Sequence, residues 1–174
     1  MVTTLTSIAT LIVALQNVPD DSAKKSAQEL ARKCAEATVK NDIGTVIDLT
    51  HPMAVSAMGG REKAIKLARE AMKKSEQDGV KIVSVERVLP PEKIHASKRA
   101  YYCVVPVSFQ ITIDDSKFLL RSALIGISID SGKKWKFVDI SLGEKTVRKF
   151  LPDMPGELKF PAKPEVIPEK QGGD

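Results

Sequence analysis

The stretch FLLRSALIGISIDSGKKWKFVDI, residues 118–140, predicts two β-strands joined by a tight turn. The tripeptide at 130–132, Asp-Ser-Gly, fits a three-residue hairpin loop whose glycine takes a left-handed conformation. In that register Ala123 lies opposite Asp139. Side chains alternate across a strand, so the odd-numbered residues of both strands share one face. The hairpin therefore predicts a largely apolar sheet face that carries two charged side chains, Arg121 and Asp139.

The preceding strand, residues 99–113, is apolar at nearly every odd position and more polar at even positions. A three-residue turn at 114–116 keeps the odd positions of this strand on the same face as those of the hairpin. The opposite face is half apolar, with Phe118, Leu120, Leu124, Val138 and Ile140 among Ser122, Ser128 and Lys136. A half-apolar sheet face of this kind is expected to be covered by another segment or by a partner protein. A homodimer through this outer face and a proline-rich tail folded over it are the two hypotheses.

Helices are predicted before the sheet. Small apolar residues recur at spacings of three and four over 22–40, a short helix follows and ends at Pro52, and residues 61–78 form a highly charged third helix. A strand at 80–89 leads into the sheet, and the capping-box pattern at 141–144 predicts a short helix to about 151. The fold class predicted is α+β, with N-terminal helices packed on the concave face of a strongly curved, mainly antiparallel sheet.

Three segments are predicted along the 174 residues. Residues 1–18 contain an apolar run too short to cross a bilayer and suited to an export signal, with an uncleaved helix as the alternative. We therefore predict an exported, periplasmic or extracellular protein, with a cytoplasmic location as the alternative, and no integral membrane span. Residues 20–151 form the domain. Residues 152–174, which hold five of the prolines, form a mildly acidic tail.

Composition excludes some functions. The chain has 27 Lys plus Arg and 22 Asp plus Glu, a net charge of +5, and its few aromatic residues lie in strands, so nucleic-acid binding is not expected. The two cysteines, Cys34 and Cys103, fall on apolar faces and are expected to be buried free thiols. No metal-ligand spacing and no cofactor motif occurs, so neither a metal nor a cofactor is predicted.

The order helix, short helix, helix and curved meander resembles the nuclear transport factor 2-like superfamily, to which ketosteroid isomerase belongs. The resemblance covers about 22–151 and is best at VKNDIGTVIDLTHP, residues 39–52, and GKKWKFVDI, residues 132–140. It implies a cone-shaped pocket between the sheet and the helices. In other members that pocket serves catalysis, ligand carriage or scaffolding, so the fold does not give the function.

Two functions follow. The first is a binding or interaction module that holds a small apolar or anionic ligand, or a protein partner, in a pocket lined by Trp135, Phe137, Tyr101 and Ala123. The alternative is a pocket enzyme of isomerase or hydrolase type. Its candidate catalytic residues are Asp139 as general base, Arg121 to orient an anionic substrate, and His51 as an acid–base partner. A structural ion pair, or a carboxylate that binds backbone near the next helix, would explain Asp139 equally.

Overall fold

The computed structural model describes residues 21–168, which form a six-stranded sheet with the first helix packed on one face and the last helix on the other. The helices are α1 (Asp21–Val39), α2 (Ile43–Leu49), α3 (Pro52–Ala57), α4 (Arg61–Gln77) and α5 (Glu144–Phe150). The strands are β1 (Val80–Val88), β2 (Ile94–Ala96), β3 (Tyr101–Ile113), β4 (Ser116–Ser128), β5 (Lys136–Asp139) and β6 (Glu165–Pro168). The predicted export segment, residues 1–18, and the end of the tail lie outside the described residues.

The sheet follows the order β1-β3-β4-β5, with β2 added beside β3 and β6 beside β4, and all of these strand pairs are antiparallel. The register between β1 and β3 shifts twice, after Ile82 and after Val85. Bulges of this kind bend a strand and increase its twist. The predicted fold class is confirmed: an α+β fold in which N-terminal helices pack on a curved, antiparallel sheet.

Helix α1 packs closely on the sheet because its buried stripe consists of small residues. These are Ala23, Ala27, Ala31, Cys34, Ala35 and Ala37. Trp135 and Phe137 lie in the same core cluster. A Cβ atom added to Gly132, whose φ is +84°, would lie 2.5 Å from the Cβ of Ala23. Glycine is therefore required at 132 both for its backbone conformation and for the approach of α1.

The predicted register of β4 is wrong by one residue on both of its sides. The β3–β4 turn has two residues, Asp114 and Asp115, which both take positive φ and make Ile113 pair with Ser116. This turn matches the right-handed twist of a hairpin, and aspartate tolerates the left-handed conformation. The β4–β5 connection is longer than predicted, and Leu124 rather than Ala123 pairs with Asp139.

Because the two register errors have opposite effects, the side chains of β3 and β5 lie on the faces predicted for them. In β4 alone, the odd and even side chains lie on the faces opposite to those predicted. Its even residues Phe118, Leu120 and Leu124, predicted for the outer face, pack in the core below α1. Its odd residues Ala123, Ile125 and Ile127 lie in the core of the opposite face. Both faces of β4 are apolar, so the hydrophobic pattern did not distinguish the two orientations.

The outer face of the sheet is covered in part by the chain that follows α5. Leu151, Met154 and Leu158 are buried there against Tyr102 and the odd residues of β4. This arrangement corresponds to the hypothesis in which the tail covers the outer face. The homodimer through that face stays a prediction.

Two helix ends differ from the predictions. Pro52 does not simply end a helix but opens α3, with His51 as its N-cap, accepting a hydrogen bond from the amide of Met53. Proline suits the first turn of a helix because its missing N–H has no helical partner there. Helix α5 begins after Gly143 without a side-chain cap, so the predicted capping box is not formed. Of the helices within residues 21–168, none combines the length and the apolar character that a bilayer crossing requires.

Candidate functional site

A cavity of about 470 Å³ lies between the helices and the sheet. The sheet contributes Phe109, Leu124 and Phe137 to its wall, and the helices contribute Ala35, Val46 and Met58 among others. Both the size and the apolar lining are typical of small-molecule sites.

Asp139 is the one charged side chain among the described residues that line this cavity. It stands at the end of β5 and is exposed to solvent. Its Oδ1 accepts a hydrogen bond of 2.7 Å from the amide of Ser141 and so caps the 3-10 turn Ile140–Leu142. Its Oδ2 has no hydrogen-bond partner within residues 21–168. The carboxylate therefore has a structural bond on one oxygen and a free acceptor on the other.

The remaining polar groups around this cavity are neutral or already bonded. Thr38 donates its hydroxyl to the carbonyl of Cys34, and Thr50 donates to Val46, at 3.0 and 2.8 Å. Burial raises the pKa of Cys34 to about 11, and the negative charge of Asp139 adds to that shift. The thiol is thus protonated at neutral pH and is a poor nucleophile. The cavity offers an apolar wall and one anionic group.

The structure does not bring Asp139 and Arg121 together. Arg121 is an odd residue of β4 and lies on the outer face, where it pairs across the sheet with Ser108 and Glu165. Ala123 is buried on that same face. The predicted pairing of Ala123 with Asp139 is therefore wrong, because β4 is turned over. A pair in which Asp139 removes a proton while Arg121 orients the substrate is not assembled.

Of the four residues predicted to line the pocket, Phe137 does so. Trp135 is 1% exposed, and its indole N–H donates to the carbonyl of Gly132 at 2.9 Å, so it belongs to the core and fixes the β4–β5 connection. Tyr101 packs half-buried at the edge of the same core. Free thiols were predicted for Cys34 and Cys103, and both are free and buried.

His51 lines a different cavity, of about 700 Å³, on the side of the sheet that the C-terminal segment covers. Asp153 also lies there, and it accepts hydrogen bonds from the hydroxyls of Tyr102 at 2.5 Å and Ser97 at 3.1 Å. Burial acts to raise the pKa of Asp153, but these hydrogen bonds outweigh it and hold the pKa below its ordinary value. Burial lowers the pKa of His51, and the nearby Asp153 offsets part of that effect.

The Tyr102–Asp153 bond was missed in the sequence because Asp153 lies in a proline-rich stretch that we interpreted as a tail. A signal was present: Leu151, Met154 and Leu158 are apolar at spacings of three and four, and all are buried. Tyr102 is 1% exposed, so its hydroxyl requires a partner. The bond ties the segment after α5 to the sheet, and a structural role explains it without a ligand.

No protein-family model, no curated protein and no solved structure matches this chain. The nuclear transport factor 2-like resemblance thus stays a prediction that rests on the order of elements and on the stretches 39–52 and 132–140. Within residues 21–168, no group of three or more His, Cys, Asp or Glu side chains is placed to hold a metal ion.

Proposed function

We propose that the protein is an exported, nuclear transport factor 2-like module that binds a small apolar molecule carrying one cationic or hydrogen-bond-donating group. The observation that carries the proposal is the apolar cavity of about 470 Å³ with the Asp139 carboxylate in its lining. The apolar body of the ligand would replace water against Phe109 and Phe137. Its polar group would bind the free oxygen of Asp139.

The charge of the cavity selects among ligands. An anionic group placed about 4 Å from Asp139 would be repelled, and a cation attracted, by about 1 kcal/mol, because the carboxylate is exposed and solvent screens its charge. No arginine or lysine lines the described wall to reverse this preference. For this cavity we therefore favour neutral and cationic ligands over the anionic class predicted from Arg121.

Binding is favoured over catalysis because the cavity lacks converging polar groups. General acid–base chemistry requires a second group within hydrogen-bond reach of the same reacting atom. In this cavity the hydroxyls of Thr38 and Thr50 are bonded to helix carbonyls, and one oxygen of Asp139 caps a turn. The remaining polar side chains of the lining are Ser122 and Ser141, whose hydroxyls are too weak as acids or bases to act as the second group at neutral pH. Export is part of the proposal on the strength of the apolar run at 5–15, whose length suits a signal-peptide core.

Ligand class can be tested with three probes that share an eight-carbon chain: octyltrimethylammonium, octan-1-ol and octanoate. Backbone amide shifts in an ¹⁵N-labelled sample would report where each probe binds. We expect the cationic and neutral probes to shift resonances of β5 and of α1 near Cys34. Asp139→Asn keeps an oxygen that can accept from the amide of Ser141 and removes the charge, so it should weaken the cationic probe by about tenfold and leave octan-1-ol unchanged.

The matched control is Asp115→Asn, which removes one acidic charge from the exposed β3–β4 turn and keeps a side chain that tolerates positive φ. Asp115→Asn should change neither the affinity for the cationic probe nor the affinity for octan-1-ol. Shifts that avoid the cavity for all three probes would refute the proposal. Equal affinity of the cationic and anionic probes for this cavity, read from the shifts of β5 and α1, would refute the role of Asp139.

A further inference from the structure

Four polar residues form a row across the outer face of the sheet. Arg87 in β1 pairs with Ser108 in β3, Ser108 pairs with Arg121 in β4, and Arg121 pairs with Glu165 in β6. Directly paired residues in an antiparallel sheet project to the same face. Two arginines therefore stand on either side of one small hydroxyl residue.

This row crosses a third cavity, of about 540 Å³, on the outer face beside β6, whose Ile167 and Pro168 line it. Apolar side chains lie in the rows above and below the arginines. They include Leu89, Pro106, Leu119 and Ile167. The cavity thus combines apolar walls with two guanidinium groups and one carboxylate, Glu86, so its lining carries a net charge of +1, whereas the helix-facing cavity carries a single negative charge.

Neither guanidinium is neutralised by a described neighbour. Among residues 21–168 no carboxylate lies within ion-pair distance of Arg87 or Arg121, although Glu86 and Glu165 face the same side. Adjacent strands lie about 4.8 Å apart, so the two arginine backbones are about 10 Å apart, with Ser108 between them. Arginine side chains are long enough to meet above that serine.

We propose that this outer groove is a second binding site, for the carboxylate of a small amphiphilic anion. The planar donors of Arg87 and Arg121 match the two oxygens of a carboxylate, and the hydroxyl of Ser108 adds a donor between them. An aliphatic chain attached to the carboxylate covers Leu119 and Leu89. The site is independent of Asp139, which lies on the other face of the sheet.

Octanoate is the probe, with octan-1-ol as its uncharged counterpart, and binding is followed by titration calorimetry and by amide shifts of β3 and β4. In the groove, we expect octanoate to bind more tightly than octan-1-ol and to shift the amide resonances of residues 108 and 119–121. Arg121→Gln and Arg87→Gln should each weaken octanoate by about tenfold. Glu165→Gln, which removes a facing acid, should strengthen it by about twofold.

Arg69→Gln is the matched control, because it removes an exposed arginine from α4, far from the groove in sequence. It should leave octanoate affinity unchanged. The proposal is overturned if octanoate and octan-1-ol shift the groove amides of β3 and β4 with equal affinity, if the octanoate shifts lie outside the groove, or if both arginine variants keep wild-type affinity. Because the arginines are exposed, both variants should fold, and a far-ultraviolet spectrum checks this.

Discussion

Leu158→Ala tests whether the segment after α5 is an integral part of the fold. Leu158 is 1% exposed and lies in the outer core with Tyr102 and Ile125. The substitution removes three carbon atoms, worth about 2.4 kcal/mol at ~0.8 kcal/mol per methylene. The cavity left behind adds to this loss, so we expect a total of about 3 to 4 kcal/mol.

Urea unfolding is the assay, with the fluorescence of the single tryptophan, Trp135, as the signal. Trp135 lies in the core on the other side of the sheet, so a shift in its midpoint reports loss of stability of the whole domain rather than local release. Val166→Ala is the control. Val166 is 46% exposed, and its truncation should change stability by about 0.5 kcal/mol or less. A loss below about 1 kcal/mol for Leu158→Ala would refute the reasoning, because the segment would then not be packed as described.

Three further predictions follow. Asp139→Asn and Arg121→Gln should each lower the free energy of unfolding by less than about 1 kcal/mol. Because the two residues lie on opposite faces of the sheet, their effects should add within about 0.5 kcal/mol in the double variant. A larger coupling energy in urea unfolding would show that they interact. Because burial lowers the pKa of His51 below its ordinary 6.5, the unfolded chain takes up the proton first. The contribution of His51 to the free energy of unfolding is therefore complete above pH 6.5 and is lost as the pH falls. Between pH 8 and 5, the unfolding free energy of a His51→Gln variant should lack this part of the pH dependence. Burial raises the pKa of Cys34 to about 11 and of Cys103 to about 12, so at pH 8 both thiols are protonated and a disulfide reagent should modify them slowly. Cys103, which is fully buried, should react only as fast as the protein unfolds, and rapid modification of Cys103 would contradict its burial.

The helices and strands were predictable because their signals are local. Small apolar residues at helical spacing give α1, a proline and an asparagine–aspartate pair delimit the short helices, and long alternating runs give β3 and β4. Predicted boundaries lie within a few residues of those observed. The position of Asp139 at the end of an aromatic strand was also predictable, and the structure places it in the lining of the helix-facing cavity.

The candidate sites depended on which way one strand faces, and that was not a local property. Residues 118–127 are apolar on both faces, so burying either set of side chains is favourable. The orientation is fixed by the left-handed pair Asp114–Asp115 and by the longer β4–β5 connection, which together turn β4 over relative to its neighbours.

The sequence by itself thus determined most of the elements, though not α3, β2 or β6, as well as the fold class and the residues able to carry charge into a cavity. Only the tertiary structure decided that Asp139 faces the helices while Arg121 faces outward beside Arg87. It also decided that the segment around Leu158 is core. The physical reason is the same in both cases: which face of a strand is covered depends on turn geometry and on packing between distant segments, and hydrophobic periodicity records only that a face is buried, not by what.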